Sequence, residues 1–155
     1  MTREGRKAAG EHALKLRHFD SQPEAQAALV AGRDEALREL VSAAKGGGFD
    51  PNYSPASLKE LEAWFFALHE VDFVGAPLKR EAMERGMAMY FGEVCVRNAG
   101  FEWRVREYAF ERGKYEMGVV RGLLGIMLSS FSDLPVRPNN KRHQSMWSEY
   151  RKYVG

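Results

Sequence analysis

The sequence predicts an α+β fold with N-terminal helices, then a small antiparallel sheet, then a C-terminal helix. Apolar residues recur at steps of three and four residues from about residue 24 to residue 98, which is typical of helices. After Gly100 the pattern changes to alternation, which is typical of a half-buried strand. Near the C-terminus, apolar residues again recur at steps of three and four residues. We therefore expect a single layer of helices packed on the sheet.

Length and composition indicate one globular domain, because the chain has 155 residues, of which 45% are hydrophobic. We divide it into a basic N-terminal arm, residues 1–19, and a single α+β domain, residues 20–155. The arm holds five basic and two acidic residues, a net charge of +3 against +2 for the whole chain. It is either a frayed arm or a short helix around residues 11–19. Residues 135–155 are also basic, so both ends could bind an anionic partner or fold back onto the domain.

Two of the predicted helices have clear start signals. Ser21 supplies a capping hydroxyl, and Pro23 and Glu24 follow it in the first turn. Ser54 and Pro55 supply the same combination for the next helix. We therefore expect helices to begin close to these two serines.

A third helix is predicted from about Leu78 to Asn98, ending at Gly100. It contains Gly86 and Gly92, each of which weakens a helix by ~1 kcal/mol relative to alanine. A glycine at such a position is usually offset by the close approach of another segment. We therefore expect a neighbour packed tightly across Gly92.

The sheet is predicted from the segment that follows. Alternation and a turn indicate a hairpin over about residues 101–122. Residues 122–134 fit either a third strand or a short helix. Asn139 or Asn140 is placed to cap the last helix.

Several kinds of chemistry lack support in the sequence. Cys95 is the only cysteine, so an internal disulfide and a multi-thiolate zinc site are excluded. Its apolar neighbours indicate an inert, buried thiol. No apolar run reaches the ~18–20 residues that cross a bilayer, and no secretory signal is recognisable. We expect a cytoplasmic protein without a metal, a cofactor or a membrane partner.

The polar candidates are His69 and Glu93. Either could serve as an acid or base in a helix–sheet cleft, which would make the protein a small hydrolase or transferase. The alternative for Glu93 is structural: an ion pair with Arg97 one helical turn later, or with an arginine of the following strand. The structural interpretation is favoured, and we assign no catalytic residue.

Aromatic and arginine residues suggest a different activity, because both are enriched at protein interfaces. The interface candidates are Tyr108, Tyr115, Trp147, Tyr150, Tyr153, Arg104 and Arg106. Glutamates interleave with the hairpin arginines and disfavour nucleic-acid binding through the sheet. Nucleic-acid binding through the basic ends stays open as an alternative. A homodimer through the C-terminal aromatics also stays open.

One segment resembles a known pattern. Tyr90-Phe91-Gly92-Glu93-Val94, followed by Gly100 and Trp103 and preceded by Ser54-Pro55, resembles small bacterial α+β domains of unknown function. Those domains share a helix ending in Y-x-G-E-V, a glycine stop and a tryptophan on a strand. The resemblance covers about residues 50–122 and assigns no functional residue. Because some proteins of this general kind neutralise toxins, it implies, by analogy of fold, an immunity protein.

Taken together, these features favour a non-catalytic protein of the bacterial cytoplasm that binds another protein. A toxin-neutralising immunity protein or an accessory partner would fit this description.

Overall fold

The computed structural model describes residues 2–68, 79–128 and 145–154. These residues form an α+β fold, as predicted, with five helices and four strands. The helices are α1 (Arg3–Ala13), α2 (Gln22–Lys45), α3 (Ser57–Ala67), α4 (Arg80–Ala99) and α5 (Ser145–Val154). The strands are β1 (Arg17–His18), β2 (Glu102–Glu107), β3 (Lys114–Arg121) and β4 (Leu124–Met127).

Strand β3 is the centre of the sheet, and all its neighbours are antiparallel to it. The predicted hairpin is β2 and β3, paired along their whole length with Trp103 opposite Val119. On the other side of β3, β1 pairs with its first residues and β4 with its last. Strand β4 is therefore the third strand considered for residues 122–134; residues 129–134 lie outside the described residues.

The N-terminal segment differs from its prediction. Helix α1 begins after Thr2, whose hydroxyl oxygen accepts a hydrogen bond from the Gly5 N–H at 2.9 Å. The helix ends at Ala13, so the short helix considered for residues 11–19 is wrong. Capping by Thr2 explains the difference, because it sets the helix start well before residue 11.

Residues 17–18, assigned from the sequence to the basic arm, form strand β1 of the sheet. The flanking Leu16 and Phe19 are buried, and the Phe19 N–H donates to the Gly113 carbonyl at 2.9 Å. Burial of these two side chains stabilises the extended backbone between them. A strand of two residues is too short to show a period in the sequence.

The capping predictions for α2 and α3 are confirmed with one adjustment. The Ser21 hydroxyl accepts from the Glu24 N–H at 3.3 Å, and α2 starts at Gln22. The Ser54 hydroxyl accepts from the Ser57 N–H at 3.2 Å, but regular helix begins only at Ser57. A turn at residues 55–56 therefore precedes α3.

Helix α4 lies at the centre of the core, since every residue from Gly86 to Gly92 is buried. A Cβ atom at Gly86 would lie 2.8 Å from Leu40 Cβ, so this glycine lets α2 approach α4 closely. A Cβ at Gly92 would press on Cη2 of the Trp103 ring and would lie 2.9 Å from Trp103 Cζ2 and 2.8 Å from Leu128 Cδ1. The close neighbour predicted for Gly92 is thus confirmed, and it is the sheet.

Helix α5 packs on α3 and α4. The carboxylate of Glu62, a fully buried residue of α3, accepts a hydrogen bond from the Met146 N–H in the first turn of α5. A carboxylate at a helix N-terminus also interacts favourably with the helix dipole. Asn139 and Asn140, the expected caps, lie outside the described residues. No helix in the described ranges is long and apolar enough to cross a membrane.

Candidate functional site

Two of the seven interface candidates are core residues. Tyr115 is 7% exposed and Tyr150 is 4% exposed, so neither offers its ring to a partner. The ring of Tyr115 packs edge-to-face against Phe19 at 6.0 Å. Treating these two tyrosines as exposed was wrong, because both lie on the apolar faces of their elements.

The other aromatic candidates are partly buried and lie in different places. Tyr108 packs against His12 of α1, with ring centroids 5.1 Å apart. The ammonium group of Lys59 lies over the ring of Trp147, 4.4 Å from the ring centroid. Tyr153 packs against Phe101 at 5.9 Å. These contacts tie each ring to its own neighbours and do not gather the three into one cluster.

The two arginine candidates are exposed but paired with carboxylates. Arg104 lies 2.6 Å from Glu102, and Arg106 Nε donates to Glu116 at 2.9 Å. Glu116 is buried and also lies 3.7 Å from His12 Nε2. The glutamates therefore compensate the hairpin arginines locally, Glu116 across the strand pair and Glu102 within the same strand.

A more ordered set of aromatic and charged groups is centred on Tyr90, which is fully buried. Its phenol oxygen accepts from the Tyr53 N–H at 2.9 Å and lies 2.7 Å from the Ser57 hydroxyl. Ser57 donates its only hydroxyl proton to the Ser54 carbonyl at 2.6 Å. Tyr90 must therefore be the donor to Ser57. Burial raises the pKa of the Tyr90 phenol, so it keeps this proton at neutral pH.

Tyr53 has an unusual backbone, with φ at +61°, the left-handed region that favours glycine. Its carbonyl accepts from Asn98 Nδ2 at 2.8 Å, and its N–H is bonded to Tyr90. Its ring stacks on the Tyr90 ring, with centroids 4.6 Å apart and planes inclined by 19°. These contacts hold a conformation that a free tyrosine rarely adopts.

The stack continues through α4 to the sheet. The Arg97 guanidinium lies 4.0 Å above the Tyr53 ring and donates to Glu93 Oε1 at 3.0 Å. The second oxygen of Glu93 accepts from the Trp103 indole N–H at 2.8 Å. The Arg33 guanidinium then covers the Trp103 ring at 5.1 Å. We call this series the ladder; its members are Tyr90, Tyr53, Arg97, Glu93, Trp103 and Arg33.

The ladder is partly accessible, which matters for recognition. The Arg97 side chain is 52% exposed, and Tyr53 and Trp103 are half-buried. Glu93, by contrast, is 18% exposed, and both its oxygens accept hydrogen bonds. The face shown to solvent is therefore aromatic and cationic, while the carboxylate holds it together from within.

Glu93, one of the two residues considered for catalysis, is poorly placed for it. Glu93 is engaged through both oxygens, and His69 lies outside the described residues. Cys95 is fully buried, and burial raises the pKa of its thiol to about 12, so the reactive thiolate does not form at neutral pH. Within the described ranges, no group of three or more His, Cys, Asp or Glu residues could hold a metal ion.

Comparison with known protein families gives a match over residues 18–154 to the family described as uncharacterised protein YwmA. No significant match was found among curated proteins or among solved structures. The match extends on both sides of residues 50–122, where the sequence resemblance to small bacterial domains had been placed. Since it covers most of the chain, the protein belongs to the YwmA family, a bacterial family of uncharacterised proteins.

Proposed function

We propose that this protein acts by binding another protein, without catalysis, and that the ladder is its recognition surface. The observation that supports this most is the strained backbone of Tyr53, held in place from the N–H, the carbonyl and the ring. Backbone strain of this kind concentrates at functional sites. Tyrosine, tryptophan and arginine are also the residues that contribute most binding energy at interfaces.

The order of the ladder favours affinity. Immobilising a side chain on binding costs ~0.5–1.5 kcal/mol. Arg97 is already fixed between a ring at 4.0 Å and a carboxylate at 3.0 Å, and Trp103 is fixed by its bond to Glu93. A partner that contacts this face therefore meets side chains that have already lost most of their freedom.

Toxin neutralisation is the specific form of binding that we propose, as in immunity proteins. A toxin must be held tightly and without turnover, which suits a rigid recognition surface. The test is co-expression with the product of a neighbouring toxin-like reading frame. Growth restored by the wild-type protein supports this role, and growth that stays arrested despite soluble protein contradicts it.

The binding proposal is tested by two matched alanine variants. Arg97 and Arg104 have side chains 52% and 54% exposed, and each pairs with one glutamate. Either substitution should cost about 1 kcal/mol of stability, because both arginine side chains are about half exposed and Glu93 keeps its hydrogen bond from the Trp103 indole. We expect Arg97→Ala to weaken binding to the protein partner at least ~30-fold, the loss typical of a hot spot. Arg104→Ala should leave it within about threefold.

The measurement is quantitative affinity capture from the native cell, with each variant as bait, followed by titration of the stoichiometric partner. Loss of the partner with Arg104→Ala but not with Arg97→Ala would move the interface to the hairpin. Failure of the wild-type protein to retain any stoichiometric protein would contradict the proposal itself. Capture of nucleic acid with a steep salt dependence would favour the basic ends instead.

A further inference from the structure

A groove that meets the ladder at Arg33 runs between α2, α4 and the sheet. It has a volume of about 270 Å³, and its walls are mainly apolar. The apolar residues include Leu29 and Ala36 of α2, Met89 of α4, Met117 of β3 and Leu128 after β4. Such a concave, apolar site with a few polar groups is the usual form of a small-molecule site.

Three arginines line the groove, and they differ in what they already contact. Arg17 lies 4.7 Å above the ring of Phe19. Arg33 pairs with Asp34 at 2.9 Å and also covers a ring of the ladder. Arg85 has no ion-pair, hydrogen-bond or ring partner within the described part of the chain. Arg85 is therefore free to bind an anion beside the apolar walls, and Arg17, which contacts a ring but no carboxylate within the described residues, adds positive charge there.

Gly32 keeps the groove open from the side of α2. It lies in the middle of this helix and lines the groove, yet a Cβ added there would meet no atom within 4 Å. Close helix packing therefore does not account for this glycine, which is unfavourable in a helix interior. Gly32 is exposed at the wall of the groove, so a large side chain there has open space to occupy.

We propose that this groove binds a small carboxylate that carries an alkyl chain. The volume of about 270 Å³ is many times the ~10–15 Å³ that holds one water molecule, so it has room for a short alkyl chain such as that of octanoate. The alkyl chain would contact the apolar walls, and Arg85 would bind the carboxylate through two parallel N–H···O bonds. This inference is independent of the proposed protein binding.

The test begins with calorimetric titration of octanoate, octanol and octylamine. We expect saturable binding of octanoate, with octanol at least ~10-fold weaker because it cannot form a charged pair. Octylamine should not bind. Absence of octanoate binding up to about 1 mM would overturn the proposal, as would octylamine binding as tightly as octanoate.

Two variants locate the site, each with a control. Arg85→Gln should weaken octanoate binding at least ~10-fold, whereas Arg112→Gln, on the exposed hairpin turn, should leave it unchanged. Gly32→Leu should abolish binding by filling the groove while raising the denaturation midpoint, since leucine favours helix. Ala31→Leu, at an exposed position of the same helix, should leave binding unchanged. Wild-type affinity in Gly32→Leu would place octanoate elsewhere and refute the site.

The test of octanoate binding gives a result that can be told apart from the test of protein binding through the ladder. Arg97→Ala removes a side chain that does not line the groove, so octanoate binding should stay within about twofold of wild type. A loss of octanoate binding in this variant would contradict binding in the groove, whose lining does not include Arg97.

Discussion

Replacement of Gly92 by alanine is expected to lower the free energy of unfolding by about 2–3 kcal/mol, the range of an overpacked core. The new methyl group would press on Cη2 of the Trp103 ring and would lie 2.8 Å from Leu128 Cδ1. The indole cannot move away freely, because its N–H is bonded to Glu93 and its face is covered by Arg33. Helix propensity alone would favour alanine by about 1 kcal/mol. A loss of stability would therefore show that steric overpacking outweighs helix propensity at this position, and a gain would show the reverse.

Gly32→Ala is the matched control, because it makes the same change in a helix interior where nothing lies within 4 Å. It should raise the free energy of unfolding by about 0.5–1 kcal/mol. Urea unfolding of both variants beside the wild-type protein measures the two effects. A neutral or stabilising Gly92→Ala would show that the sheet does not press on α4 at this glycine.

Tyr90→Phe is expected to lower the free energy of unfolding by about 2 kcal/mol, although it removes only one oxygen atom. That oxygen accepts from the Tyr53 N–H and donates to the buried Ser57 hydroxyl, so both groups lose a partner. The positive φ of Tyr53 also loses one of the contacts that hold it. We therefore expect faster amide exchange at residues 53–57 in the variant.

Tyr115→Phe provides the control for this substitution. Tyr115 is also buried, but its hydroxyl makes no hydrogen bond within the described residues. Its loss should change stability by less than about 0.5 kcal/mol. Equal effects of the two substitutions would mean that the hydrogen bonds of Tyr90 contribute nothing specific.

The elements that local signals define were predictable from the sequence. A few neighbouring residues are enough to define the caps of α2 and α3, the glycine that ends α4 and the alternating pattern of β2. The close packing at Gly92 was also predictable, because a glycine within an otherwise apolar helix requires a reason.

The burial of Tyr115 and Tyr150 followed from the same periods. Tyr115 shares its strand face with Met117 and Val119, and Tyr150 lies one helical turn after Met146. All of these residues are buried. The spacing of apolar residues along each element therefore predicts burial better than residue type does, since an aromatic ring on an apolar face packs in the core.

Only part of the ladder could be predicted from the sequence. Glu93, Arg97 and Trp103 are close in the chain, and the segment around them was singled out. Tyr53 was missed, because it meets Tyr90 from 37 residues away and a positive φ at tyrosine has no sequence signature. Arg33 was missed for the same reason: tertiary packing of α2, not local sequence, brings it to the indole.

The central claim is that the ladder is the surface on which a protein partner binds. Hydrogen exchange of the protein with and without its captured partner tests this most directly. We expect exchange at residues 53–57 and 93–98 to slow at least ~10-fold in the complex, while residues 118–125 of the sheet stay unchanged. Protection confined to residues 118–125, with residues 53–57 and 93–98 exchanging as in the free protein, would contradict it.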